Sequence, residues 1–397
     1  MLKYFVFIML LAISVMTTIN CKKTPETTAI VADYPAIKLA FGNNLLISSF
    51  YNYANQSKPV YINKDNTGNN PISNGKATLG RVLFYDKNLS IDNSVACASC
   101  HRQEFAFGDT AVVSKGVAGG TTGRHSMRLV NSRFALETKF FWNERAATLE
   151  LQTTQPIQDH AEMGFSGLNG RPNFAALQAK LQGIGYYKEL LQLVYNDATI
   201  SEAKMQECLA QFIRSIQSFD SKYDAGRALA PNGNVPFNNF TASENDGKNL
   251  FITPPTFDAT GARIGGGVGC NGCHNAPEFD IDPNTRNNGV IGTIGSNVLD
   301  LGNTRSPSLR DLFNNLGNQN GPMMHTGVFT TFQNVLGHYG NIIIAPGNNN
   351  LDQRLRPGGN PQKLNLTAPE VISLTNFIKT LSGTQMYMDS KWSNPFL

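Results

Sequence analysis

Two short runs carry the chemistry of this sequence: Cys97-Ala98-Ser99-Cys100-His101 and Cys270-Asn271-Gly272-Cys273-His274. Each reads Cys-x-x-Cys-His. Two thiols three positions apart share one helical turn and can both form thioether bonds to the vinyl groups of one porphyrin. The histidine that follows can then bind the iron through an imidazole nitrogen. The pattern predicts two covalently bound haem c groups, held by Cys97, Cys100, Cys270 and Cys273, with His101 and His274 on the irons. Two other chemistries share part of it. Cysteine pairs hold structural zinc, but such a site takes four protein ligands and gives these histidines no role. A thioredoxin-like redox pair leaves both histidines equally unexplained.

The chain that must position these groups has 397 residues, enough for two ordinary domains and a sizeable core. Only 16% of it is charged and 36 residues are glycine, which suits a loop-rich protein wrapped around large apolar cofactors. A net charge of +4, with no Lys/Arg run interleaved with aromatics, gives no basis for a nucleic-acid partner.

Residues 1–20 read as a secretory signal: Lys3 supplies the positive end, and Phe5 to Met16 is an apolar run too short to span a membrane. Cys21 follows directly, then Lys22 and Lys23, as in a bacterial lipoprotein whose cysteine becomes the lipidated first residue. Asn20 stands where such signals place a small residue, so a soluble secreted form is the alternative. Either way the protein is expected in the periplasm or cell envelope, where bacterial covalent haem is assembled, and in the lipoprotein form a lipid anchor links it to the membrane.

Residues 21–70 form a tether and N-terminal extension, with Thr24 to Thr28 as the tether and a short helix within Ile37 to Tyr53. The turn Gly68-Asn69-Asn70-Pro71 opens a first haem domain, 71–227. The Pro/Asn-rich segment 228–240 is the linker, and 241–397 is a second haem domain whose C-terminal end can pack on the first. The clearest helix is Ser201 to Phe219, where Met205, Cys208, Leu209, Phe212, Ile213, Ile216 and Phe219 fall on one face. Cys208 is then an inert buried thiol. Further helices are expected at Ser243 to Phe251 and Ala368 to Leu381, and no run alternates as strands do. The fold class is mainly α: two cytochrome c-like haem domains with long loops, related by a helix–loop–Cys-x-x-Cys-His order.

Taken together, the chain resembles the bacterial di-haem cytochrome c peroxidases and their MauG-type relatives over about residues 71–390. The runs that carry the resemblance are Leu79 to Asp86, Phe141-Trp142-Asn143-Glu144-Arg145-Ala146, then Gln152, Pro156 and Glu162-Met163, Ser306 to Arg310, and Met323 to Gly327. The resemblance implies a peroxidatic first haem, an electron-entry second haem, and Trp142 as a relay between them. The other reading of Trp142 is core packing. It also implies hydrogen peroxide as substrate and a small cytochrome c or cupredoxin as electron donor.

Glu162 has a chemical reason to matter. Peroxide heterolysis needs a proton taken from one oxygen and delivered to the departing one, and a carboxylate above the iron can do both. Gln152 cannot exchange that proton, but its amide can orient the oxidant. Without the resemblance Glu162 would read as a solvated acid.

Tyr339 stands fourteen residues beyond His325, where many members of the family have a methionine on the second iron and MauG-type enzymes a tyrosine. Tyr339 is therefore expected as that ligand, with Met323 and Met324 as competitors and a solvent-side tyrosine as the other reading. His338 is expected to support the same pocket. The loop Gly116 to Gly123 lacks the distal histidine of many peroxidases. His125 replaces an asparagine that helps bind an interdomain calcium in the family, with backbone near Asn320 and Pro322, and this weighs against calcium. Two alternatives to the peroxidase remain: MauG-like oxidation of a partner protein's side chain, and a non-catalytic electron-transfer cytochrome.

Overall fold

The computed structural model describes residues 33–397, apart from Glu137, Asp282 and the side chain of Ile281. The signal segment and Cys21 lie outside the described residues. The helices are α1 (Pro35–Phe41), α2 (Asn74–Tyr85), α3 (Cys97–Cys100), α4 (Leu149–Thr153), α5 (Gln155–Gln158), α6 (Phe174–Gln182), α7 (Gly185–Tyr195), α8 (Glu202–Ser215), α9 (Lys222–Leu229), α10 (Ala242–Ile252), α11 (Phe332–Gly340) and α12 (Ala368–Lys379). Short 3-10 turns, among them Cys270–Gly272, and two small antiparallel pairs accompany them: β1 (Pro255–Phe257) with β2 (Arg263–Gly266), and β3 (His274–Asn275) with β4 (Asp280–Ile281). The mainly α class holds.

Two helix crossings organise the molecule, α2 on α8 and α10 on α12, and both use one device. A Cβ on Gly80 would lie 1.9 Å from the Cys208 carbonyl oxygen and 2.9 Å from Phe212 Cβ. A Cβ on Gly247 would lie 1.9 Å from the Ser373 carbonyl oxygen and 2.8 Å from Phe377 Cβ. Only glycine lets the helix backbones meet this closely. Each glycine opens the same run, Gly80-Arg81-Val82-Leu83-Phe84 and Gly247-Lys248-Asn249-Leu250-Phe251. The residue after each glycine is a buried cation whose charge is taken up by backbone carbonyls. Arg81 Nε donates to Ser393 O at 2.6 Å, and Lys248 Nζ to Gly233 O at 2.7 Å and Val235 O at 2.8 Å.

Around the second crossing, Tyr223, Phe237, Phe251, Phe279, Phe377, Leu374 and Leu381 form an apolar cluster that Cys270 packs against. Beside it Arg310, fully buried, pairs with Asp224 at 2.9 and 3.0 Å.

Helix α8 ends at Ser215, short of the expected Phe219. Asn131 draws the chain out of the helix: its N–H donates to Ile216 O at 3.0 Å, its Oδ1 accepts from Ser218 N–H at 2.9 Å, and its Nδ2 donates to Ser218 O at 3.0 Å. Apolar periodicity continues past the helix because Ile216 stays buried while the backbone changes partner. The helix expected within Ile37 to Tyr53 is α1 alone, since the chain turns at Gly42, where φ is +52° and a Cβ would press on Leu397.

The C-terminal segment returns to this first half. Leu397 N–H donates to Ala40 O at 3.3 Å, Tyr53 donates to Lys391 O at 2.5 Å, and Tyr85 donates to Trp392 O at 2.7 Å. Pro35–Leu397 accordingly pack as one compact unit. Ala228 and Leu229, the first residues of the expected linker, are the last of α9.

Candidate active site: two adjoining cavities

The first cavity, about 460 Å³, is lined by Cys97, Cys100, His101, Trp142, Gln152 and Glu162 among others. The cysteines occupy the two ends of α3, with His101 as its C-terminal cap. The His101 Nδ1 lies 3.1 Å from Phe107 O, and because a carbonyl only accepts, Nδ1 carries the proton. A proton held at Nδ1 is the arrangement that orients an imidazole to ligate a metal through Nε2. Burial holds His101 below the usual imidazole range, in its neutral form.

The second motif repeats this. His274 Nδ1 lies 3.0 Å from Pro307 O, and burial pushes its pKa down to about 4. His274 lines a smaller cavity of about 80 Å³ with Tyr339, Met323, Met324 and Asn288. Burial raises the Tyr339 hydroxyl well above the phenol range, and Cys273 and Cys270 lie close to it.

Burial pushes the Cys97 and Cys270 thiols up to about 12 and Cys100 to about 11. A thioredoxin-like pair needs the opposite shift, so the redox alternative has no support. Among the described residues no three His, Cys, Asp or Glu side chains converge as a metal-ion group, which leaves the zinc alternative without a ligand set. Two thiols and a buried, neutral imidazole with its proton at Nδ1, in each motif, fit covalent haem c.

Glu162 reaches the first cavity from a turn that Asp159 builds, its Oδ1 accepting from Ala161 N–H at 2.8 Å and Glu162 N–H at 3.0 Å. The loop Gly116 to Gly123 packs on the back of this turn: Val117 N–H donates to Glu162 O at 3.0 Å. A Cβ on Gly116 would lie 1.9 Å from Ala161 O, and one on Gly120 2.5 Å from the same atom. Close approach to the backbone behind Glu162 explains the glycines. Burial pushes the Glu162 carboxyl up to about 7, with Asp159 adding to the rise and Arg145 opposing it. Arg145, to which sequence reasoning gave no role, lies in the cavity wall over the Phe141 ring at 3.4 Å and donates to Asn143 Oδ1 at 3.1 Å. Gln152 stands near the end of α4, which Thr148 caps.

Trp142 is buried and lines both cavities, as do His125, Arg128, Arg305 and Pro307. The His125 ring is spoken for: its Nδ1–H points at Ala111 O, 3.0 Å away, and Val112 O, 3.3 Å away. The ring offers no oxygen to a cation.

Residues 74–229 match the family model for di-haem cytochrome c peroxidase. The methylamine utilization protein MauG of Methylophilus methylotrophus is 28% identical over 321 residues, covering 79% of this chain and 84% of that protein. Cytochrome-c peroxidase IdrP1 of Pseudomonas sp. (strain SCT) is 27% identical over 364 residues, covering 82% of this chain and 85% of that one. Among solved structures, a MauG-like protein associated with microbial copper homeostasis superposes with a TM-score of 0.66 at 27% identity, over 86% of this chain and 99% of that chain.

Proposed function

Residues 74–229 belong to the di-haem cytochrome c peroxidase family, and from that premise we propose that the protein reduces hydrogen peroxide to water with electrons from a small cytochrome c or cupredoxin. The observation that carries the proposal is one cavity lined at once by Cys97, Cys100, His101, Gln152 and Glu162.

A haem held there would supply the electrons that break the O–O bond. The protein does the rest. His101 offers Nε2 from a ring pinned at Nδ1. Gln152 orients the peroxide by its amide. Glu162, poised near neutrality, takes the proton of one peroxide oxygen and delivers it to the other. Each turnover takes up two protons and two electrons and releases two waters. Trp142, common to both cavity walls, is the side chain through which charge would pass from the second site to the first.

The two sites sit in two cytochrome c-like halves, 71–227 and 241–397, and Tyr339 would join His274 in holding the iron of the second. A lipidated Cys21 holds the protein at the periplasmic face of the cell envelope. Among the described residues no helix is long and apolar enough to cross a membrane. MauG-like oxidation of a partner's side chain is the second reading, favoured by Tyr339 lining the second cavity with His274.

The test is stopped-flow mixing of the reduced protein with peroxide, beside steady-state oxidation of a reduced small cytochrome. Reaction in both supports the peroxidase. A peroxide reaction without donor oxidation favours the second reading, and no reaction in either leaves an electron-transfer cytochrome. Mass analysis of Cys97→Ala/Cys100→Ala and Cys270→Ala/Cys273→Ala should each show one haem lost.

A further inference from the structure

We propose that Asn288 is the positioning residue that selects Tyr339 over Met324 as the side chain closing the second site opposite His274. The inference rests on the reading of Tyr339 as a ligand and adds the reason for the choice.

Asn288 lies in the wall of the second cavity, between the two competitors. Its Oδ1 accepts from Val290 N–H at 3.0 Å, which fixes the orientation of the amide and turns Nδ2 toward the cavity. Nδ2 donates to Met324 Sδ at 3.5 Å. Tyr339 lines the same cavity, near enough for the amide to oppose the rise that burial causes in its hydroxyl. One donor group thus faces both candidate ligands.

The donor is held rigidly. The Asn288 carbonyl accepts from His338 Nε2 at 2.9 Å, one residue before Tyr339 on α11, so the turn and the helix are tied together. The preceding Asn287 is fully buried, its Nδ2 donating to Asp300 O at 3.0 Å and Gly302 O at 3.1 Å. Its Oδ1 accepts from Gly289 N–H at 2.9 Å and from Asn348 Nδ2 at 2.9 Å. Gly289 takes φ +86°, and a Cβ there would meet His338 Cε1 at 3.3 Å. The turn is closed from every side.

An N–H donor does not treat the two ligands alike. A thioether sulfur is neutral and a weak acceptor, so it gains little from the amide. A phenolate oxygen carries charge, keeps a lone pair for the metal, and gains a charge-assisted bond from the same amide. Asn288 therefore favours oxygen ligation and holds Met324 as a bystander. Hydrogen bonds to charged groups contribute about 1.5–3 kcal/mol, so removal of the donor shifts the oxygen-to-sulfur ligand ratio by about tenfold to a hundredfold.

The experiment uses the protein loaded with both haems and reads the second haem by electron paramagnetic resonance, by its near-infrared thioether-to-iron charge-transfer band, and by its reduction potential. Asn288→Leu removes the donor, and Asn288→Asp removes it while keeping the acceptor for Val290, so the second variant decides if the first fails to load haem. Both should gain the thioether band and a higher potential, since sulfur ligation favours ferrous iron. The band should vanish when Met324→Leu is added. An unchanged spectrum and potential in Asn288→Asp, with Tyr339→Phe altering the second haem, overturns the role of Asn288 and leaves the ligand reading intact. A second haem unaltered by Tyr339→Phe overturns both.

Discussion

The Trp142 indole N–H donates to the His125 carbonyl at 2.7 Å, and the His125 N–H in turn donates to the His325 carbonyl at 2.8 Å. Two backbone groups thus join the aromatic ring common to both cavities to the Met323–Gly327 segment, and the Trp142 and His325 rings lie 6.3 Å apart. Trp142 is placed by hydrogen bonding as well as by packing.

Trp142→Phe keeps an aromatic ring but leaves the buried His125 carbonyl without its donor. Such a loss costs about 1–3 kcal/mol, which a urea unfolding midpoint will register. Donor-dependent peroxide turnover should fall as well, with haem content unchanged. A lower midpoint at the parental turnover rate would assign Trp142 to packing alone.

Gly80→Ala and Gly247→Ala should each be destabilising by about 1–3 kcal/mol or more, because each Cβ would fall within 1.9 Å of a carbonyl oxygen on the facing helix. Equilibrium unfolding of the two variants checks both crossings, and matched losses show that they are equivalent joints. A neutral Gly247→Ala would mean that α10 and α12 can part without penalty.

That equivalence was written in the sequence as Gly-x-x-Leu-Phe, repeated before each Cys-x-x-Cys-His motif, yet only the later motif is conspicuous. The haem motifs were legible because their chemistry demands adjacent residues. The apolar face of α8 was legible because local period dictates it. The end of α8 was not, since Asn131 ends it from far away in the chain. Nor was the packing of the C-terminal segment on α1 and α2, where backbone carbonyls of Lys391, Trp392 and Ser393 take the bonds and leave no side-chain pattern. At the site, Glu162 and Gln152 were legible through spacing within a family pattern. The places of Arg145 and Asn288 in the cavity walls were not, because they depend on what faces them across a cavity.

Arg310 and Asp224 form a bidentate pair deep in the second half, and Arg310→Met should be destabilising by about 3–5 kcal/mol because it strands a buried carboxylate. Burial opposes ionisation of Asp224, but Arg310, Ser221 and Tyr61 more than offset it and hold the carboxyl below its unfolded value of 3.8. A depressed folded pKa stabilises the fold above the unfolded value and is lost as pH falls through the folded one. The parent should therefore lose stability on acidification below about pH 4, as followed by thermal unfolding across pH. Arg310→Met should lack that part of the acid response. An unchanged acid limb in the variant would show that other carboxylates set it.

Glu162 gives the sharpest pH signature. Its carboxyl is pushed up to about 7, chiefly by burial, so its population as a base changes in the neutral range. If it takes the first proton from peroxide, the rate of the peroxide step rises as pH increases through about 7 and levels above it. The stability effect runs the other way. A raised folded pKa means that the folded chain binds the extra proton, so this contribution is present below the unfolded value of 4.5 and is lost as pH rises through about 7. Glu162→Gln preserves size but cannot exchange a proton, and should slow peroxide turnover by about two orders of magnitude or more. It should also flatten the pH–rate profile in the neutral range, leaving haem content and the second haem's spectrum as in the parent. Gln152→Ala should slow turnover less and keep the Glu162 limb, since it disturbs orientation without removing the proton carrier. Parental turnover in Glu162→Gln, or a limb near pH 7 that survives it, would show that the carboxylate only shapes the cavity.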